Sequence, residues 1–255
     1  MTTVATLLGA IGVAEQGEGG TPIVFLHGVG SDKSVWRPQL DHFGRTRRAV
    51  ALDYPGYGDS DPAASGTTRD DYAAAILAAM DALTIERAHI CGLSLGGVIA
   101  IAMHAAAPER CASLIIADSF ALHPDGPAIY ERSLIASADM HALAEGRVEA
   151  LLAQPADPAV RSEVVATMAR IDPAAFRIGA EAVWLADQRE RVAAIHVPTL
   201  VIVGEEDKVT PAHLSRDLTQ AIAGAQLEVL AGAGHLANIE TPRAFNRAVD
   251  EFVSP

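Results

Sequence analysis

The chain has 255 residues, half of them apolar and a fifth charged, with 19 basic against 32 acidic side chains and a net charge of −13. This much apolar surface excludes a disordered chain, and 21 glycines and 14 prolines without a period exclude a collagen-like one. The acidic balance, with no stripe of Lys and Arg to reverse it locally, argues against nucleic acid as a partner.

The N-terminal stretch is apolar but has no Lys or Arg ahead of it. It is also too short to span a bilayer. With Gly17 to Gly20 following, it reads as a β-hairpin at a sheet edge. A cytoplasmic protein with no membrane segment is the expectation. Short branched apolar runs then recur at 23–26, 49–52, 89–91, 114–117, 200–203 and 227–230. Most lack alternation, as expected for strands covered on both faces of a parallel sheet.

Helical patterns separate these runs. Residues 70–83 carry Tyr72, Ile76, Met80 and Leu83 at helical spacing. Residues 98–107 are apolar nearly all round and stop at Pro108. Thr241-Pro242 has the form of an N-cap followed by Pro at the first helical position, with Phe245, Val249 and Phe252 as the apolar face. Strand and helix in alternation predict an α/β fold with a mostly parallel, doubly wound sheet.

One interval breaks the alternation. Residues 119–195 hold no convincing core strand, only Ala-rich helical stretches at 128–138, 140–152, 159–169 and 174–185, punctuated by prolines. The expected organisation is a core of residues 1–118 and 196–255 with a helical cap of residues 119–195. Cys91 and Cys111 lie beside apolar runs and read as two small buried thiols, not as a disulfide framework.

Gly92-Leu93-Ser94-Leu95-Gly96 fits G-x-S-x-G. It stands between a predicted strand and a predicted buried helix, the context of a nucleophile elbow that holds a serine hydroxyl above the sheet. A serine needs a base to take its proton and an acid to orient that base. Further along, Asp207 follows the strand at 200–203, and His235 follows the strand at 227–230 by way of Ala231-Gly232-Ala233-Gly234. Ser94, Asp207 and His235 therefore all fall at carboxyl ends of strands, where open α/β sheets place their sites. Glu205, Glu206 and Asp118 are the other acids in reach of that role. The amides of Val29, in His27-Gly28-Val29-Gly30, and of Leu95 are the expected oxyanion donors. His27 precedes that turn and reads as a loop-holding residue.

Two other patterns carry no chemistry. Gly28 to Ser34 imitates a phosphate loop, but Asp32 stands before Lys33 and opposes phosphate. Gly28-x-Gly30 lacks the third glycine of a dinucleotide fingerprint. No His, Cys or Asp cluster has metal spacing, so no metal is expected. Trp36 and Trp184 are candidate pocket walls, and Arg132 and Arg177 are candidate cations for an acidic substrate.

The chain resembles the α/β-hydrolase family over nearly its whole length. The markers are His27-Gly28-Val29-Gly30, Asp53-Tyr54-Pro55-Gly56-Tyr57-Gly58-Asp59-Ser60, the elbow, Pro198-Thr199-Leu200 and Gly234-His235. Within it, Ala107-Pro108-Glu109-Arg110, Ile171-Asp172-Pro173-Ala174 and Gly234 to Glu240 look like the 3-oxoadipate enol-lactonase and carboxylesterase branch. The resemblance implies hydrolysis of a small-molecule ester or lactone through an acyl-enzyme, without a cofactor. Carbon–carbon bond hydrolysis of ring-cleavage products, a cofactor-free haloperoxidase or perhydrolase activity, and a ligand-sensing member without turnover are the other readings. A homo-oligomer is left open.

Overall fold

The computed structural model describes residues 2–254. Its sheet has eight strands in the order β1-β2-β4-β3-β5-β6-β7-β8. The hairpin β1 (Thr2–Thr6) and β2 (Gly9–Gln16) is antiparallel, and β2 runs antiparallel to β4 (Ala49–Leu52). From there β3 (Ile23–Leu26), β5 (Ala88–Leu93), β6 (Cys111–Ala117), β7 (Thr199–Gly204) and β8 (Gln226–Leu230) are all parallel. The central strands β3, β4 and β7 are buried at every position, which explains their unbroken apolar runs. β8 is different: four of its five residues are partly or fully exposed because it is the far edge.

The helices α1 (Arg37–Phe43), α2 (Arg69–Ala82) and α3 (Leu95–Ala106) follow β3, β4 and β5. A capping box starts α2: the Thr68 hydroxyl accepts from the Asp71 amide, and the Asp71 carboxylate accepts from the Thr68 amide. All residues of α3 from Leu95 to His104 are buried, as a helix apolar on every side must be.

Between β6 and β7 stand five helices and no strand of the main sheet: α4 (Gly126–Ala136), α5 (Met140–Leu151), α6 (Pro158–Ala169), α7 (Pro173–Trp184) and α8 (Arg189–Ala193). Asp139, Asp157 and Asp172 cap α5, α6 and α7 through their side chains. After β7 come α9 (Ala212–Ala221), then, past β8, α10 (Ala237–Glu240) and α11 (Pro242–Val253). Thr241 does occupy the N-cap of α11, but without a side-chain cap: its hydroxyl donates back to the Ala237 carbonyl at 3.1 Å. The described helices include none long and apolar enough to cross a membrane.

Candidate active site

Ser94 sits in the turn between β5 and α3 with φ 55° and ψ −113°, a left-handed conformation that a side chain adopts only under constraint. The constraint is visible. The Ser94 amide donates to the Ala117 carbonyl at 2.9 Å, and the Ser94 carbonyl accepts from Ser119 Oγ at 2.8 Å and from the Gly97 amide at 2.9 Å. Glycines make the turn sterically feasible. A Cβ at Gly92 would strike the Gly96 carbonyl, and one at Gly96 would strike the Leu26 carbonyl of β3.

Adjacent strand ends bring the other two residues together. Asp207 lies just past β7 and His235 just past β8, which pair in parallel through Gly204 and Leu230. His235 Nδ1 is 2.9 Å from Asp207 Oδ2. Asp207 is buried, and its Oδ1 accepts from the amides of Val209 at 2.8 Å and Thr210 at 2.9 Å. Thr210 Oγ1 donates to Oδ2 at 2.6 Å. Burial pushes the Asp207 carboxyl up, but the His235 imidazole and the Thr210 donors outweigh it and hold the pKa down at about 2. The carboxylate is therefore ionised and can only accept, so Nδ1 donates to it.

Of the other acids, Glu205 and Glu206 are exposed. Asp118 is buried at the end of β6, where its Oδ1 accepts from the Gly204 amide at 2.8 Å. It makes no bond to His235 among the described residues. Burial and the nearby Asp207 raise its carboxyl well above the usual range.

Ser94 and His235 line one cavity of about 200 Å³, without a hydrogen bond between their side chains. Val29 lines it too, and Gly30 packs against Met168 of α6. Leu95 is fully buried as the first residue of α3, where helix geometry leaves its amide without an intrahelical acceptor. Behind the Val29 turn, buried His27 holds the loop: its Nδ1 lies 2.8 Å from the Gly28 carbonyl oxygen. Burial keeps the imidazole pKa below its usual range in spite of nearby Asp53.

Lys33 of the false phosphate loop is an ion-pair residue. Its ammonium donates to Asp53 at 2.6 Å and to Asp59 at 2.7 Å, and its amide donates to Asp53 at 2.8 Å. Both cysteines are free and buried.

The four expected substrate contacts do not line this cavity, and each is corrected by its packing. Trp36 is fully buried against Phe25 and Phe245. Trp184 is buried against Phe120 and His123. Arg132 is exposed on α4 beside a separate surface hollow with Lys208 and His213. Arg177 on α7 donates to Ser137 Oγ at 2.8 Å.

The structure adds residues that sequence reasoning missed. Leu151 of α5 accepts the His235 amide at 2.9 Å. Glu240 accepts the Gly234 amide at 2.9 Å and the Ala153 amide at 2.6 Å, tying the His235 loop to the end of α5. Thr210 had a sequence signal, since Asp-x-x-Thr is the form of a side-chain turn. The role of Glu240 had none.

A parallel sheet of this order, with a strained serine after β5 and a bonded Asp–His pair after β7 and β8, defines the α/β-hydrolase class. The family model for the alpha/beta hydrolase family matches residues 23–248, and the chain belongs to that family.

Among known proteins it is similar to 3-oxoadipate enol-lactonase 1 of Acinetobacter baylyi, 31% identical over 92% of this chain and 90% of that protein. It is similar in structure to the enol-lactonase from Burkholderia xenovorans LB400, with a TM-score of 0.93, 29% identity and all of both chains covered. It also matches the dihydrolipoyllysine-residue acetyltransferase component of the acetoin cleaving system of Pseudomonas putida, 31% identical over 93% of this chain. The match covers only 64% of the length of that relative.

Proposed function

We propose that the protein is a serine hydrolase of carboxylic esters or lactones. Ser94 attacks the carbonyl carbon while His235 Nε2 takes the hydroxyl proton, and Asp207 holds the imidazole and stabilises its cation. The amides of Val29 and Leu95 receive the oxyanion. Collapse of the tetrahedral intermediate breaks the bond to the leaving oxygen, which takes the proton from His235. Water then repeats the sequence on the acyl-enzyme and frees Ser94. For a lactone the leaving alcohol stays attached, so one ring-opened acid forms.

Residues 119–195 act as a cap in this reading. Its support is that Leu151, Val160, Val164 and Met168 of α5 and α6 line the cavity over Ser94. The observation that carries the proposal is the shared cavity of Ser94 and His235, with the imidazole bonded to buried Asp207. The missing Ser94–His235 hydrogen bond fits it, because such bonds are often long before substrate binds.

The test is turnover of p-nitrophenyl acetate by the protein and by Ser94→Ala. The variant should lose about 10³-fold or more in kcat. Activity near the parent's in Ser94→Ala overturns the proposal. A panel including lactones and vinylogous diketones separates ester and lactone cleavage from carbon–carbon cleavage, and peracid formation from acetate and peroxide reports perhydrolysis.

A further inference from the structure

His123 stands on the stretch that leads from β6 into the cap, just before α4. It is only 6% exposed and is not among the residues that line the cavity of Ser94 and His235. Aromatic neighbours hold its ring: Trp184 meets it edge-on with centroids 5.5 Å apart, and Phe120 does so at 5.3 Å. The stretch that carries it is also pinned. The Gln188 amide donates to the Ala121 carbonyl at 2.9 Å, and Leu122 forms a β-bridge with Asp187.

Each ring nitrogen has a partner that allows it one role. Nδ1 lies 3.1 Å from the Asp125 amide, which can only donate. Nε2 lies 3.2 Å from the Val209 carbonyl oxygen, which can only accept. The ring is therefore the neutral tautomer with its proton on Nε2. Burial lowers its pKa in spite of the Val209 carbonyl and the Asp125 carboxylate, in keeping with a neutral ring.

The Val209 carbonyl is one end of a peptide group whose other end is the Thr210 amide. That amide donates to Asp207 Oδ1 at 2.9 Å, while Asp207 Oδ2 is bonded to His235 Nδ1. A hydrogen bond at one end of a peptide group polarises it and strengthens the bond at the other end. One peptide group thus stands between the His123 ring and the carboxylate that orients His235. We propose that His123 is a positioning residue for the hydrolysis: its Nε2–H fixes and polarises the 209–210 peptide group that holds Asp207, and so ties the entry of the cap to the catalytic acid. The base is tied to the cap as well, since Leu151 accepts the His235 amide. The proposal rests on the Ser94 hydrolase reading for its reaction.

Three variants separate the donor from the packing. His123→Phe keeps a ring against Trp184 and Phe120 but has no donor. His123→Asn keeps an acceptor for the Asp125 amide but is too short to reach Val209. His123→Gln returns an NH2 near the Nε2 position. Hydrolysis of p-nitrophenyl acetate is measured per site titrated with a fluorophosphonate. In both His123→Phe and His123→Asn, kcat should fall about tenfold with KM held within about twofold, and His123→Gln should recover most of the loss. On an Asp207→Asn background, His123→Phe should cost less than about twofold more, because the two residues act along one route. An unchanged kcat in a folded His123→Phe or His123→Asn, or a full tenfold loss added to Asp207→Asn, overturns the proposal. A further readout needs no turnover. In Ser94→Ala, the downfield proton resonance of His235 Nδ1 should shift on adding His123→Phe and return with His123→Gln; an unmoved resonance overturns the proposal. A Ser94→Ala variant that retains turnover fells the hydrolase reading instead, and the resonance then decides whether His123 acts on the Asp207–His235 pair.

Discussion

Replacing Asp207 by Asn tests the orienting carboxylate with almost no change of shape. The outcome follows from its hydrogen bonds. Oδ1 accepts from two backbone amides, so an asparagine must keep its oxygen there. Its NH2 then falls at the Oδ2 position, 2.9 Å from His235 Nδ1. An NH2 can only donate there, so Nδ1 must become the acceptor and the proton moves to Nε2. The lone pair that would take the Ser94 proton is then lost. The charge contributes as well: a unit pair 2.9 Å apart at an effective dielectric of about 20 interacts by roughly 6 kcal/mol. Both effects bear on the imidazolium formed in the transition state, and kcat should fall by about 10⁴-fold. Steady-state hydrolysis of p-nitrophenyl acetate measures this, with circular dichroism to verify folding. A folded Asp207→Asn variant within tenfold of the parent would refute the reasoning.

Three further outcomes follow from neighbouring contacts. Glu240→Gln places an NH2 against the amide of Gly234 or Ala153, so it should lower the unfolding free energy by about 1–3 kcal/mol and reduce kcat more than KM, read by denaturant titration and steady-state kinetics. Lys33→Met leaves buried Asp53 without its ammonium and should cost about 3–5 kcal/mol in denaturant titration. Asp207 has its folded pKa at about 2, below the ordinary value of 3.8, so its stabilising contribution is present above pH 4 and fades as pH falls toward 2. Thermal melts from pH 5 to 2 should show a loss of about 2 kcal/mol from this group that Asp207→Asn lacks.

Much of the fold was legible because each buried strand is a short unbroken apolar run and each helix has punctuation. Ser94 could be read from the elbow and its flanks, and Asp207 and His235 from their places after strands. Sequence favoured Asp207 but left Glu205, Glu206 and Asp118 open beside it; in the structure the two glutamates are exposed and the bond to Nδ1 comes from Asp207. The pocket walls were misread for a physical reason. Large aromatics such as Trp36 and Trp184 fill a core as readily as they line a cavity, and nothing local tells the two apart. The arginines behave in the same way: Arg132 and Arg177 stand on α4 and α7, and only the fold sets one on the surface and the other against Ser137. The edge strand β8 was found from its hydrophobic end, but its exposure depends on having a neighbour on one side only.

The central claim is that the Ser94 hydroxyl is the activated nucleophile. Labelling with a fluorophosphonate, followed by peptide mapping in a mass spectrometer, addresses it most directly. One phosphonyl group should be found on Ser94, and labelling should slow by orders of magnitude in His235→Ala. A label on another residue, or labelling of Ser94 at an undiminished rate without the imidazole, would contradict the account.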